Sequence, residues 1–310
     1  MLIDYLIEKI KKLAAPIVVG LDPRLSQIPT FIKDEIFNAQ GRTPKALADI
    51  FYSFNKTIID HVYDLVPAIK PQIAMYEQLG PEGFDCYLRT IAYAKSKGLF
   101  VIGDIKRGDI ATTATAYSNG HIGRVDIEGE IFEISKTDFI TLNPYMGFNS
   151  IEPYLTDCKQ YDKGLFILVK TSNPNSCQVQ DIVAPDGRPI YAYVGDLVSQ
   201  WGADFIGRWG FSSVGAVVGA THPADALTLR KSMPHTFFLV PGYGAQGGSG
   251  KDLKGLFNKD CIGAIVNNSR GITGAYLSDK FKNQYSEKEF GQASRAAVLD
   301  MKMDLEMHIK

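Results

Sequence analysis

FVIGDIK (100–106) is a short apolar run that ends in charged residues, and a segment with helical spacing follows it. The same arrangement recurs along the chain in IVVGLD (17–22), AIKPQ (68–72), DFITLNPY (138–145), GLFILVKTS (164–172), SVGAVVGAT (213–221), FFLVPGY (237–243) and AIVNNSR (264–270). Each run is brief and rich in β-branched or aromatic residues, as parallel strands buried on both faces require. Between the first two, Leu47, Ile50, Phe54, Ile58, Val62 and Leu65 recur three or four apart, with Thr43 placed to cap that helix and Pro44 to open it. The last helix is predicted to start from a capping box of Ser286 and Glu289, with Phe290, Val298, Met301 and Leu305 on one stripe. Eight strands alternating with helices predict an α/β fold, a (β/α)8 TIM barrel, with an added N-terminal helix and long βα loops. A doubly wound sheet is the alternative, because strand order is not readable from the pattern. No low-complexity linker divides the chain, so residues 1–310 read as a single TIM-barrel catalytic domain.

Composition narrows the function classes. The 310 residues are 45% hydrophobic, and 33 basic against 34 acidic side chains leave a net charge of -1. That balance excludes a disordered chain and offers nothing to a nucleic acid, whose partners carry a basic excess. No apolar run is long enough to span a bilayer. The N-terminal MLIDYLIEKIKKLAAP carries Asp4, Glu8 and Lys9 within its apolar pattern, which predicts an amphipathic helix and not a signal peptide. Cys86, Cys158, Cys177 and Cys261 are scattered without a CxxC pair, and the five histidines form no HExxH. A reduced, cytoplasmic enzyme without His- or Cys-based metal chemistry is expected.

In a closed barrel, polar groups at the C-terminal strand ends converge on one cleft. The candidates are Asp22, Lys70, Asp104, Lys106, Ser172, Gln246 and Arg270. A charge in a parallel strand is costly unless paired, and so many at equivalent positions point to a site. The densest stretch is DIKRGDI (104–110): alternation sets Asp104 and Lys106 on one face, with Ile105 turned away, and Asp109 follows the turn. Two carboxylates near one ammonium make a charged proton donor that crowds any third negative group brought between them. The second constellation is PGYGAQGG (241–248) with NNSRG (267–271), after strands seven and eight, where barrels commonly hold phosphate. Backbone N–H groups freed by glycine, with the Arg270 fork, suit a dianion. Gly242, Gly244 and Gly247 also satisfy GxGxxG. The dinucleotide fingerprint, however, belongs to a first βα turn and needs an acid near the end of the following strand, which AIVNNSR lacks. Two long connections, 23–43 and 173–189, leave strand ends on the same face and are candidates for lids.

From GLDPRL (20–25) through DIKRGDI and KTSNP (170–174) to PGYGAQGG and NNSRGI, the chain resembles orotidine 5′-phosphate decarboxylases, specifically their longer bacterial subgroup. The resemblance implies decarboxylation of orotidine 5′-phosphate to UMP, the last step of de novo pyrimidine synthesis, with no cofactor and no metal. It implies that Lys106 protonates C6, that Asp104 lies beside the substrate carboxylate, and that Lys70 holds Asp104 and the ribose. Asp109 would reach into the neighbouring subunit's site with Ile110 and Thr113 beside it, making a homodimer with shared active sites. Asp22 would bind ribose hydroxyls, Ser172 the pyrimidine amide, and Gln246 and Arg270 the phosphate. The chain departs from compact relatives in its long connections, and SNP stands where many show SHP.

The chemistry fits the charges. Loss of CO2 from C6 leaves an sp² carbanion with no adjacent carbonyl, a problem usually met with a cofactor electron sink. Here the answer is a Lys-Asp-Lys-Asp array aimed at that carbon. A Mg-dependent hexulose-phosphate synthase-like lyase resembles the chain in the Asp-x-Lys-x-x-Asp segment, but Lys70 would repel the cation, and Glu77 is expected to be solvated beyond the strand. A Schiff-base aldolase needs a neutral lysine, which Asp104 and Asp109 oppose. A non-catalytic nucleotide-phosphate-binding barrel is the remaining alternative. Trp201 and Trp209 are expected to pack a helix on the barrel, and His121 and His222 to be ordinary polar residues near loops.

Overall fold

The computed structural model describes residues 1–244 and 247–309. Eight parallel strands close a barrel: β1 (Ile17–Leu21), β2 (Ala68–Pro71), β3 (Phe100–Arg107), β4 (Phe139–Leu142), β5 (Gly164–Lys170), β6 (Ser212–Val218), β7 (Thr236–Val240) and β8 (Ala264–Asn268). Each pairs with its neighbour in sequence. Closure comes from β1 against β8, with Ile17 opposite Val266 and Val18 opposite Asn267. That pairing excludes the doubly wound sheet, which has two open edges.

Strand alternation divides the apolar residues into two cores. Ile17, Val19 and Leu21 face outward and pack under the helices. Val18, Ala68, Ile102, Phe139, Phe166, Phe237 and Ile265 fill the interior, with the Phe139 and Phe166 rings 5.3 Å apart. The N-terminal helix, Leu2–Leu13, is amphipathic as expected, and its apolar face is a plug. Leu2, Ile3, Leu6, Ile7 and Ile10 join the interior core and seal the N-terminal end of the barrel. Each such buried side chain contributes roughly 1.5–3 kcal/mol, as an upper value. Asp4 is buried beside them and accepts from the Trp209 backbone N–H at 3.2 Å, while the Lys11 ammonium lies 3.9 Å from the Trp209 ring. Trp209 thus ties this plug to the barrel, and Trp201 packs its own helix, Ile190–Trp201, against Phe148.

The expected caps are present. Thr43 Oγ1 accepts from the Ala46 N–H at 3.1 Å at the start of Pro44–Val62, and Ser286 with Glu289 closes the capping box before Phe290–Ile309. Three expectations need correction. The 23–43 connection is not an open loop: it holds a helix, Thr30–Gln40, that packs its Ile32 against the barrel helices. His121 is buried, with Nδ1 lacking a partner, and burial together with the nearby Arg107 pushes its pKa down to about 4. An antiparallel hairpin, Val125–Ile127 with Glu130–Phe132, follows the helix after β3, where no strand was expected. All four cysteines are free, Cys86 and Cys158 being buried, and no described helix is long and apolar enough to cross a membrane.

Candidate active site

A cavity of about 610 Å³ opens at the C-terminal ends of the strands. Asp22, Lys70, Asp104, Lys106, Ser172 and Arg270 all line it, so six of the residues singled out from strand ends do converge. Gln246 lies outside the described residues. Asp109, Ile110 and Thr113 do not line the cavity of their own chain.

Asp104 organises the floor. Its Oδ2 accepts from Lys70 Nζ at 2.6 Å and its Oδ1 from Lys106 Nζ at 2.5 Å. The two lysines differ in access: the Lys70 side chain is 6% exposed and that of Lys106 44%. Burial alone would raise the pKa of Asp104, but the two ammonium groups reverse that and hold it well below the ordinary carboxylate range. Burial likewise opposes a charged Lys70, yet Asp104 and Asp22 together raise its pKa. Asp22, one residue past β1, keeps Oδ1 buried without a hydrogen-bond partner. Near it in β1, Gly20, opposite Lys70 in register, lets the end of β8 pack close, since a Cβ there would stand 1.8 Å from Ser269 Oγ.

Asp104 and Lys106 do share a side of the strand, but simple alternation is not the reason. The β3–β4 register shifts between Gly103 and Arg107, and Lys106 adopts φ +46°, in the left-handed region. A lysine there stores on the order of 1–3 kcal/mol of strain. Thr141 of β4 compensates: its Oγ1 accepts the Lys106 N–H at 3.0 Å and donates to Asp104 Oδ1 at 2.9 Å. Thr141 was missed in the sequence, although a polar residue in FITL carried the same signal as the other strand ends. The second carboxylate expected at Lys106 is elsewhere: Asp109 Oδ1 accepts the Ile110 N–H at 2.7 Å. Within one chain the array is Lys-Asp-Lys. Glu77 is not simply solvated but is ion-paired with Arg107 at the rim.

The opposite wall contains Ser172, Asn173 and Arg270. Gly242, Gly244 and Gly247 have φ of +104°, +69° and +96°, conformations that only glycine adopts cheaply. The amides are less available than expected, since those of Gly244, Gly247 and Gly248 bond within the loop at 2.8, 2.8 and 3.1 Å. Arg270 opens the short helix Arg270–Thr273 and brings the guanidinium to this wall. The 173–189 connection contributes Asn173 and Gln180 to the cavity lining. Gln180 accepts the Thr171 N–H at 3.0 Å and donates to Thr171 Oγ1 at 2.8 Å.

Residues 16–280 match the family model described as Orotidine 5′-phosphate decarboxylase / HUMPS family. The chain belongs to that family. It is 44% identical over 305 residues to an orotidine 5′-phosphate decarboxylase of Clostridium tetani, covering 98% of both chains. It is 42% identical over 307 residues to one of Petrotoga mobilis, covering 99% of this chain and 98% of the relative. The solved OMP decarboxylase of Leishmania donovani superposes with a TM-score of 0.67 at 29% identity, over 96% of this chain and 99% of that one. The family and its barrel agree with the resemblance read from DIKRGDI and its companion motifs.

Proposed function

We infer that the chain decarboxylates orotidine 5′-phosphate to uridine 5′-phosphate and CO2, completing de novo UMP synthesis, and that it does so without metal or organic cofactor. The observation that carries this reading is Asp104 clamped between a buried Lys70 and a cavity-facing Lys106. When the C6–carboxylate bond breaks, its electron pair remains on C6. Lys106 Nζ is the cation available to face that lone pair and then donate its proton to C6, after which solvent restores the ammonium. Lys70 neutralises Asp104 permanently, so Lys106 is steered without being the sole counter-charge. Because these dipoles and charges are already fixed, little reorganisation is needed as the carbanion forms.

The rate asked of such a site sits in the upper part of the ~8–23 kcal/mol barrier reduction typical of enzymes. A single ion pair does not supply that. Binding energy from the remote groups must contribute by closing and drying the cavity. In this reading the unpartnered Asp22 Oδ1 accepts from ribose, Ser172 meets the pyrimidine amide, and Arg270 with Gln246 holds the phosphate. Asp109, Thr113 and the exposed Ile110 serve the neighbouring site of a homodimer. The whole chain acts as one catalytic domain, and its free thiols suit a reducing cytoplasm.

A Mg-dependent lyase is disfavoured because Lys70 places positive charge where a divalent cation would need carboxylates. The deciding experiment follows pyrimidine absorbance with orotidine 5′-phosphate in the presence of EDTA. Turnover is expected; its absence, with restoration by Mg²⁺, would favour the lyase. Mixing Lys106→Ala with Asp109→Ala subunits should regenerate one intact site per heterodimer, and no recovery after verified exchange would remove the shared-site part of the reading.

A further inference from the structure

We propose that Lys170 is a positioning residue that latches the 173–189 connection over the cavity through Asp181. The inference rests on the decarboxylase reading for the meaning of the covered site, and on separate geometry for the latch itself.

Lys170 is the last residue of β5 and its side chain is fully buried, yet it does not line the cavity. Phe166 and Leu168 point into the barrel, and continued alternation would send Lys170 there too. The register shift between Leu168 and Lys170 turns it outward instead. There it is ion-paired with Asp181, lies 3.6 Å from Asp225 Oδ2, and stands 4.8 Å from the Tyr191 ring. Tyr191 in turn donates to Asp225 Oδ1 at 3.0 Å. Asp225 and Tyr191 belong to helices Pro223–Ser232 and Ile190–Trp201 and form the fixed half of the seat. Asp181 belongs to the covering connection and is the half that leaves if that connection lifts.

A buried ammonium left with a single partner is costly, so the charge itself favours the covered arrangement. The effect is delivered to the site by the adjacent residue. Gln180 precedes Asp181 and bonds twice to Thr171, next to Ser172, so seating Asp181 holds Gln180, Thr171 and Ser172 in the cavity wall. Lys170 thus touches neither end of the reaction but fixes the wall that does.

Asp181→Asn is the primary test, since Asp181 is 40% exposed and its loss leaves the fold standing. The KM for orotidine 5′-phosphate and the Kd for UMP should rise about fourfold with kcat within about twofold, the scale that loss of a partly exposed charge pair predicts. Asp181→Glu should recover most of the effect. Adding Asp181→Asn to Lys170→Met should change nothing beyond Lys170→Met alone. Thermolysin cutting confined to the connection reports local opening and not global unfolding. Val179, Ile182 and Val183 are exposed cleavage points in the connection, 54%, 54% and 63% accessible. UMP should slow cutting there in the wild type and fail to do so in Asp181→Asn. Unchanged KM together with normal UMP protection in Asp181→Asn would overturn the latch. An inert wild type would overturn the functional reading instead, and the latch would then stand or fall on thermolysin cutting of Asp181→Asn against the unliganded wild type.

Discussion

Lys70 and Lys170 are both buried at the C-terminal ends of barrel strands, 6% and 0% exposed, but their partners differ. Lys70 is paired with Asp104, itself only 8% exposed and carried on the neighbouring strand. Lys170 is paired with Asp181 and Asp225, which are 40% and 32% exposed and lie on a connection and a helix outside the barrel. The first arrangement is rigid on both sides, which is what preorganised chemistry needs. The second has one fixed and one removable partner, which suits a cover. The same residue type at the same level of the barrel therefore does two jobs, decided by where the counter-charge is anchored.

Three experiments break or sharpen that contrast. The largest effect is expected at the rigid array: Lys106→Ala should lower kcat by more than about 10⁴-fold, since it removes both the proton donor and the charge facing C6. UMP binding should persist, and a near-normal rate in the absorbance assay would sink the mechanism. Next, Asp104→Asn strands Lys70 in the interior and should cost about 3–5 kcal/mol in urea unfolding. Asp181→Asn, by contrast, should cost less than about 1 kcal/mol because its carboxylate is partly solvated. Equal losses would erase the distinction between rigid and removable partners.

The last effect, confined to acidic pH, concerns a buried base with no ionic partner. His121 is held neutral, with a folded pKa of about 4 against 6.5 for a free histidine. The unfolded chain therefore binds a proton first as pH falls. Stability is full above pH 6.5 and declines toward pH 4, by on the order of 3 kcal/mol at most. Asp60, held down to about 2 despite burial by Lys97, Tyr93 and Lys56, loses its share only below that window, and Asp104 does the same. His121→Gln should flatten the stability profile between pH 7 and 4.5 while leaving the more acidic limb intact; an unchanged slope would show that His121 is not the group responsible.

Much of the site was legible because strand ends obey a simple rule. Asp22, Lys70, Asp104, Ser172 and Arg270 could be placed in one cleft from periodicity alone once a barrel was assumed. Lys106 was placed correctly for an incomplete reason, since a register shift and a left-handed φ bring it beside Asp104. Thr141 was overlooked because one hydroxyl in an apolar strand looks like ordinary strand composition. Lys170 was overlooked because a shift by one residue reverses the face a side chain occupies, and nothing local announces the shift. The glycine loop misled in a related way: its glycines mark the conformations correctly, but whether an amide is free depends on the loop closing on itself.

The amino-acid order alone determined the alternation of strands and helices, the amphipathic N-terminal segment, the caps at Thr43 and Ser286, and the residue types gathered at the strand ends. These depend on spacing and local chemistry, which are written linearly. Only the tertiary structure decided that β8 returns to β1, that the first helix plugs the barrel, that Asp109 stays out of its own cavity, and that Lys170 faces away from the site. Those outcomes depend on which strand lies beside which and in what register, and hydrogen bonds between residues far apart in sequence set both.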